Sequence, residues 1–227
     1  MFEGDQFTVC EAQGGQLRLF AAGRDEQPLR SFSEVARKVA PERVAFAMNA
    51  GMFDAAGRPI GLTIVGGVRK HRINLRAGGG NFHLLPNGVF LVRKDGSAAV
   101  VEGKAFAAAA KDVVYATQSG PMLVIDGKLH PAFERDGESR LMRNGVGVTN
   151  GGLVVFVITG DPVSFGKLAR FFRDALKTPN ALFFDGSVSS LWDPANSRQD
   201  AHVPLGPVIV ALKPAASAPG RGGPATP

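Results

Sequence analysis

Cysteine is nearly absent: Cys10 is the only one among 227 residues. An intrachain disulfide and a zinc site built on paired cysteines are therefore excluded. Cys10 closes the run Phe7-Thr8-Val9-Cys10, which reads as a strand with a buried thiol, not an exposed nucleophile in electropositive surroundings. Trp and Tyr occur once each, as Trp192 and Tyr115. A nucleic-acid groove wants stacking aromatics beside a basic stripe, so no nucleic-acid partner is expected. The sixteen Phe sit mostly inside apolar runs and read as core. No five like charges stand together, and no apolar run reaches membrane-spanning length, so no transmembrane segment is expected. The opening Met1-Phe2-Glu3-Gly4-Asp5 lacks the basic and apolar regions of a signal peptide. The phosphate loop, the dinucleotide-binding Gly-x-Gly-x-x-Gly and the Gly-x-Ser-x-Gly elbow are missing too. The four histidines, His71, His83, His130 and His202, lack metal-type spacing.

What remains is a globular composition. Hydrophobic residues make up 44% and charged residues 20%, enough for one sizeable core in a single domain over residues 1–213. The net charge of +6 fits an anionic small substrate, because long-range attraction raises encounter rates. Short apolar runs alternate with turn signals such as Pro86-Asn87-Gly88 and Asp126-Gly127. Strands are expected at Leu17–Ala21, Val44–Met48, Leu62–Val65, Phe82–Leu85, Val89–Val92, Val113–Thr117, Met122–Ile125, Ala181–Phe184 and Val208–Leu212. A hairpin joins Asn144–Thr149 to Leu153–Thr159, with Asn150-Gly151 as a type I′ turn. Helices are few: Ser33–Val39 behind a Ser31/Glu34 capping box, Lys104–Lys111, and the amphipathic Phe165–Lys177. In the last, Phe165, Leu168, Ala169, Phe172 and Leu176 share one face, and Lys167, Arg170, Arg173 and Asp174 the other. The pattern predicts an α+β fold of mixed, largely antiparallel β-sheets with a few covering helices. Residues 214–227, rich in Pro, Ala and Gly, read as a flexible tail.

Five constellations fall at strand ends or loops: Asn49-Ala50-Gly51-Met52-Phe53, Gly78-Gly79-Gly80-Asn81-Phe82-His83, Gln118-Ser119-Gly120-Pro121-Met122, Arg140 with Arg143-Asn144-Gly145-Val146-Gly147, and Asp185-Gly186-Ser187-Val188-Ser189-Ser190. Glycine lets backbone N–H groups approach a ligand. A carboxylate leaving a buried strand is held rigidly. The Arg143 guanidinium offers a planar fork for phosphate or carboxylate. Ordinary turn chemistry accounts for each one singly: Asn49 and Asn81 as turn residues, Asp185 capping through Ser187, Arg143 paired with Glu138. Their combination is what points to a site.

That combination, from about Val44 to Leu212, resembles the phosphodiester glycosidase family. The Asn49 loop is similar to the family's Asn-Gly-Gly-Phe-Phe element, and Ser119-Gly120-Pro121-Met122-Leu123 to its Gly-Gly-Pro-Leu-Leu strand. Arg143 to Gly147 is similar to its Arg-Thr-Ala-Ile-Gly strand, and Asp185 to Ser189 to its Asp-Gly-Gly-Gly-Ser element, with Ser187 and Val188 in place of two glycines. The Gly80-Asn81-Phe82-His83 segment is closer to a bacterial branch. The resemblance implies cleavage of a sugar-1-phosphodiester on a glycan or cell-envelope substrate, in an exported (periplasmic or extracellular) protein whose leader is absent from this sequence. A cytoplasmic protein is the alternative.

A phosphodiester leaves as a stable anion, so the usual acid of a glycosidase pair matters less. The site needs a cationic clamp, Arg143 with Arg140, and one carboxylate, Asp185. Asn49, Gly51, Asn81, His83, Ser119, Gly120, Gly186, Ser187 and Ser189 are the expected substrate contacts, and Glu134, Asp136 and Asp161 reserve acids. The charged loop 131–142 reads as a mobile cover. The scheme calls for no metal and no cofactor. The alternatives are a non-catalytic glycan-binding module and a metal-assisted phosphodiesterase.

Overall fold

A computed structural model describes residues 1–22 and 27–214, so the expected tail lies, apart from Pro214, outside the described residues. The runs of Val, Ile and Phe form strands because β-branched and aromatic side chains pack well on a pleated surface. They assemble into three sheets. The six-stranded sheet has the order Phe7–Ala12, Val154–Thr159, Asn144–Val148, Asn180–Phe183, Met122–Ile125, Lys128–Leu129. A five-stranded sheet runs Arg198–Gln199, Leu191–Asp193, Val44–Asn49, Val208–Leu212, Leu17–Phe20. The other five-stranded sheet runs Val68–His71, Thr63–Val65, Val113–Ser119, Gly88–Arg93, Ala98–Glu102. The pairs within each sheet are antiparallel, which with a few short helices places the fold in the expected α+β class.

All three sheets feed one core. Phe46, Phe90 and Phe184 surround Phe156, with ring centroids 5.4, 5.9 and 6.4 Å away. The opposite face of the six-stranded sheet is covered by the helix Phe165–Arg170, so Val154–Thr159 is buried along its whole length. Ser164 caps that helix by accepting a hydrogen bond from Lys167 N, 3.1 Å. The expected helix to Lys177 is shorter: after Arg170 it widens into a π turn, Phe171–Ala175. Thr178 closes that end, donating from both N and Oγ1 to Phe172 O at 3.0 Å.

Three other expectations change. Phe82–Leu85 is not a strand. Asn81–His83 is a single 3-10 turn, since Phe82 is drawn into the core and the run ends at Pro86, which has no N–H for a ladder. The Asn150 hairpin forms, but with a three-residue loop: Gly152, not Asn150 or Gly151, takes positive φ, +81°, and its N–H bonds Thr149 O at 2.9 Å. The third concerns the polar face of the long helix. Lys167 and Arg170 are only 8% and 3% exposed, because the N-terminal segment lies across them. Asp5 meets Lys167 Nζ at 2.6 Å, Glu3 meets Arg170 Nη2 at 2.6 Å, and Asp136 adds a contact to the same guanidinium at 2.9 Å.

Replacing Arg170 would leave Glu3 and Asp136 without their shared cation in a partly dry setting. We expect Arg170→Ala to cost about 2–4 kcal/mol in urea unfolding. Arg173→Ala, which removes an exposed pair with Asp174, is expected to cost about 0.5 kcal/mol or less. Equal losses would show that the buried network is no more than a surface contact.

Candidate active site

Arg143 and Asp185 lie just beyond the ends of two paired strands of the six-stranded sheet, Asn144–Val148 and Asn180–Phe183. Gly145 pairs with Phe183, and Phe184 N donates to Asn144 O at 3.1 Å. Continued one residue further, that antiparallel register would set Arg143 opposite Asp185. The approach is close: a Cβ added at Gly186 would lie 2.9 Å from Met142 O, so only glycine fits there.

Arg143 is 1% exposed. Its backbone is pinned to Thr159, whose Oγ1 accepts from Arg143 N at 3.0 Å and whose N donates to Arg143 O at 2.9 Å. The guanidinium lies over the Phe165 ring, 3.6 Å from its centroid, and 5.7 Å from that of Phe183. Nε donates to Val163 O at 2.8 Å, and Nη2 to Ser139 O at 2.8 Å and Ser139 Oγ at 3.3 Å. Among the described residues no carboxylate pairs with it, Glu138 included, and Nη1 donates to no protein group. Burial pulls its pKa down to about 10, so the cation persists at neutral pH.

Asp185 ends the strand run. Its Oδ1 accepts from Ser187 N at 3.2 Å and Ser187 Oγ at 2.5 Å, the turn cap the sequence allowed. Oδ2 accepts no hydrogen bond among the described residues. Burial pushes the carboxyl above the usual range, and the two Ser187 hydrogen bonds oppose that shift.

Asn49 locks the loop from behind. Its Oδ1 accepts from Asn144 Nδ2 at 2.8 Å and Ser190 N at 2.9 Å, and its Nδ2 donates to Asp185 O at 2.9 Å. Ser119 is fully buried and donates to Phe184 O at 3.1 Å. Gly51 N donates to Thr117 Oγ1 at 3.2 Å. Two buried polar atoms in this region, Asn144 Oδ1 and Ser189 Oγ, make no hydrogen bond.

Asn49, Gly51, Ser119, Arg143, Asp185, Gly186, Ser187 and Ser189 thus gather where the sheets meet. Gly120 links them to the Asn81–His83 turn, since a Cβ there would stand 2.9 Å from Phe82 O. Asn81 is exposed, and His83 Nδ1 lies 2.8 Å from Arg76 O. Arg140 does not join Arg143: its guanidinium is exposed and directed at Asp5, 3.5 Å away. The nearer opposite charge wins, because Asp5 already sits at the end of the N-terminal segment. Asp136 and Asp161 hold structure, the first on Arg170 and the second accepting from Gln6 N at 2.7 Å. The loop 131–142 is pinned rather than free, through Asp136 and through the carbonyls of Glu134 and Arg135 packed on Gly166. Two contributors were not assigned roles from sequence. Asn144 shares a motif with Arg143 but faces the other side of its strand. Ser139 carries no local signal at all.

The comparisons with known proteins bear on the family and the fold. Residues 42–210 match the phosphodiester glycosidase family, and the chain belongs to that family. It is 35% identical over 150 residues to the uncharacterized Escherichia coli protein YigE, a stretch covering 66% of this chain and 58% of that one, so the match spans less than two thirds of the relative. The fold is similar to the catalytic domain of zebrafish N-acetylglucosamine-1-phosphodiester alpha-N-acetylglucosaminidase auto-inhibited by its pro-peptide, with TM-score 0.65, 14% identity and coverage of 92% of this chain and 83% of that one. It is also similar to a hypothetical protein from Synechocystis, with TM-score 0.60, 14% identity and coverage of 93% and 60%. At that identity these two likenesses speak to the fold alone.

The raised Asp185 pKa has a consequence for stability. Folding favours the protonated carboxyl, so the folded state carries no penalty below the unfolded value of about 3.9 and the full penalty above the folded value. Asp185→Asn is therefore expected to melt higher than the parent at pH 7–8. The gain should shrink as the pH falls toward 4. A lower melting temperature at pH 7, or a pH-independent difference, would contradict this.

Proposed function

We propose that the protein hydrolyses a sugar-1-phosphodiester on a glycan or cell-envelope-derived substrate, outside the cytoplasm. The observation that carries this reading is Arg143: a buried cation with no carboxylate partner among the described residues, one residue beyond a strand whose neighbour leads to Asp185, a carboxylate with a free oxygen. A buried charge without a counterion is costly unless a ligand supplies one. A phosphodiester fits that need, with Nη1 aimed at a non-bridging oxygen.

The reaction then divides between the two residues. The bond from the anomeric carbon to the phosphate oxygen breaks, and its electron pair leaves with the phosphate. Arg143 balances the charge gathering there, so no general acid is required. Asp185 faces the carbon, as nucleophile or as base toward water, and water ends as the new hydroxyl. A carboxyl with a raised pKa is a better base than an ordinary one. Asn49 acts behind Asp185, because its amide is spent on protein groups. The unsatisfied Ser189 Oγ suits a sugar hydroxyl or ordered water. A non-catalytic glycan module is less well supported: Trp192 is 6% exposed and packs on Phe32, so it offers no open face to a sugar.

The test is a panel of sugar-1-phosphodiesters with products identified by mass. Asp185→Asn is expected to lower kcat about a hundredfold or more with little change in KM, because the lost interaction belongs to the transition state. Arg143→Lys should lose the fork and raise KM as well. Near-parental turnover in both variants, with the fold intact by circular dichroism, would remove the assignment. In EDTA we expect unchanged turnover. Loss restored by one divalent ion would favour a metal-assisted phosphodiesterase.

A further inference from the structure

A sizeable cleft among the described residues lies apart from Asp185, which is not in its lining. It has a volume of about 560 Å³, and its lining includes Asp54, Ile60, His71, Arg72, Asn74 and Arg76. Its charge is lopsided. Asp54 is already occupied: Arg58 reaches its Oδ2 at 2.9 Å, and Ala56 N and Arg58 N both donate to its Oδ1 at 2.9 Å. Neither the Arg72 nor the Arg76 guanidinium forms an ion pair or hydrogen bond among the described residues. The cleft therefore presents two uncompensated cations, each with a planar fork suited to phosphate or carboxylate.

An edge strand can carry cations only to discourage pairing with other chains. That purpose accounts for Arg69 and Lys70 within the edge strand Val68–His71. It does not account for Arg72 and Arg76, which lie past the strand's end and line the cleft.

The cleft is tied to the candidate active site on both sides. One wall is fixed by Gln118, which is 1% exposed and directly precedes Ser119. Its Oε1 accepts from Leu62 N and Asn74 N, each at 2.9 Å, and its Nε2 donates to Asn74 O at 2.6 Å and Asn87 Oδ1 at 3.1 Å. All its hydrogen-bonding groups are in use, so the Asn74 wall is rigid with respect to the strand that carries Ser119. The other wall leads to Asn49: Ile60 N donates to Met52 O at 3.2 Å, three residues beyond Asn49. Arg76 closes the circuit, its carbonyl holding His83 in the turn that packs on Gly120.

We propose that this cleft is a second anion subsite, taking a phosphate or carboxylate that the substrate carries beyond the scissile phosphodiester. The assignment rests on the hydrolase reading above for the word substrate, but the anion site itself does not. It narrows the substrate class to sugar-1-phosphodiesters whose leaving group bears a further negative charge.

Two measurements test it. The first compares kcat/KM for two synthetic sugar-1-phosphodiesters that differ only in the leaving group, one a neutral alkyl chain and one ending in a phosphate monoester. The parent should prefer the phosphorylated one by about tenfold or more, the worth of a charge-assisted contact. In Arg72→Gln/Arg76→Gln that ratio should fall to about one through KM, and in Arg69→Gln it should persist. Both cleft side chains are exposed and unpaired, so the double variant should fold, which circular dichroism checks. No preference in the parent, or equal loss in Arg69→Gln, would overturn the proposal. The second measurement needs no turnover: binding of inorganic phosphate by calorimetry. Binding weakened in the double variant and retained in Arg69→Gln supports the subsite even where neither substrate is cleaved, which would sink only the hydrolase reading. Identical phosphate binding in all three proteins would refute the subsite itself.

Discussion

The side-chain amide of Asn49 joins two sheets at one point. It stands at the end of its own strand, receives hydrogen bonds from Asn144 in the six-stranded sheet and from Ser190, and gives one to the Asp185 carbonyl. Because Asn49 is 1% exposed, each of these bonds satisfies a group that would otherwise be buried unpaired. An aspartate there could not donate to Asp185 O, and an alanine would orphan several partners at once. The position of the Asp185 loop relative to Arg143 follows from this junction more than from the loop's own residues, three of which are serines.

The same region holds groups that stability alone would not select. Arg143 is sealed between Phe165 and Phe183 with no acid among the described residues, and burial draws its pKa down to about 10. Asp185 is held in a setting that favours its neutral form. Asn144 Oδ1 and Ser189 Oγ are buried and unsatisfied. Elsewhere the chain pairs its buried charges carefully, as Lys167 with Asp5 and Arg170 with Glu3. Of the three buried side-chain atoms left without a hydrogen bond among the described residues, two lie at this junction and the third is Arg30 Nη1.

Those compensated pairs also frame the site. The N-terminal segment clamps the helix through Glu3 and Asp5, and the helix clamps loop 131–142 through Arg170 and Asp136. That loop delivers Ser139 to the Arg143 guanidinium. The segment most remote in sequence thus contributes to the setting of the buried cation, through three successive ion pairs and one backbone contact.

Strands, helices and most of the contributing loops were legible in the sequence, because alternation, caps and glycine punctuation are local signals. The Ser31 cap, the hairpin and the Asp185 turn all arise within a few residues. What local signals could not convey was partnership across the sheets. Lys167 and Arg170 read as a solvated face, since nothing nearby announces that Glu3 and Asp5 will cover them. Arg140 and Arg143 look alike three residues apart, yet one is exposed beside Asp5 and the other buried on Phe165. Alternation along the strand separates Arg143 from Asn144, and only the antiparallel register of Asn144–Val148 against Asn180–Phe183 decides that the strand ends leading to Arg143 and Asp185 are neighbours. The sequence by itself determined which chemical groups were available and on what elements. The tertiary structure decided which were desolvated and which were paired, because burial and counterions are properties of residues far apart in the chain.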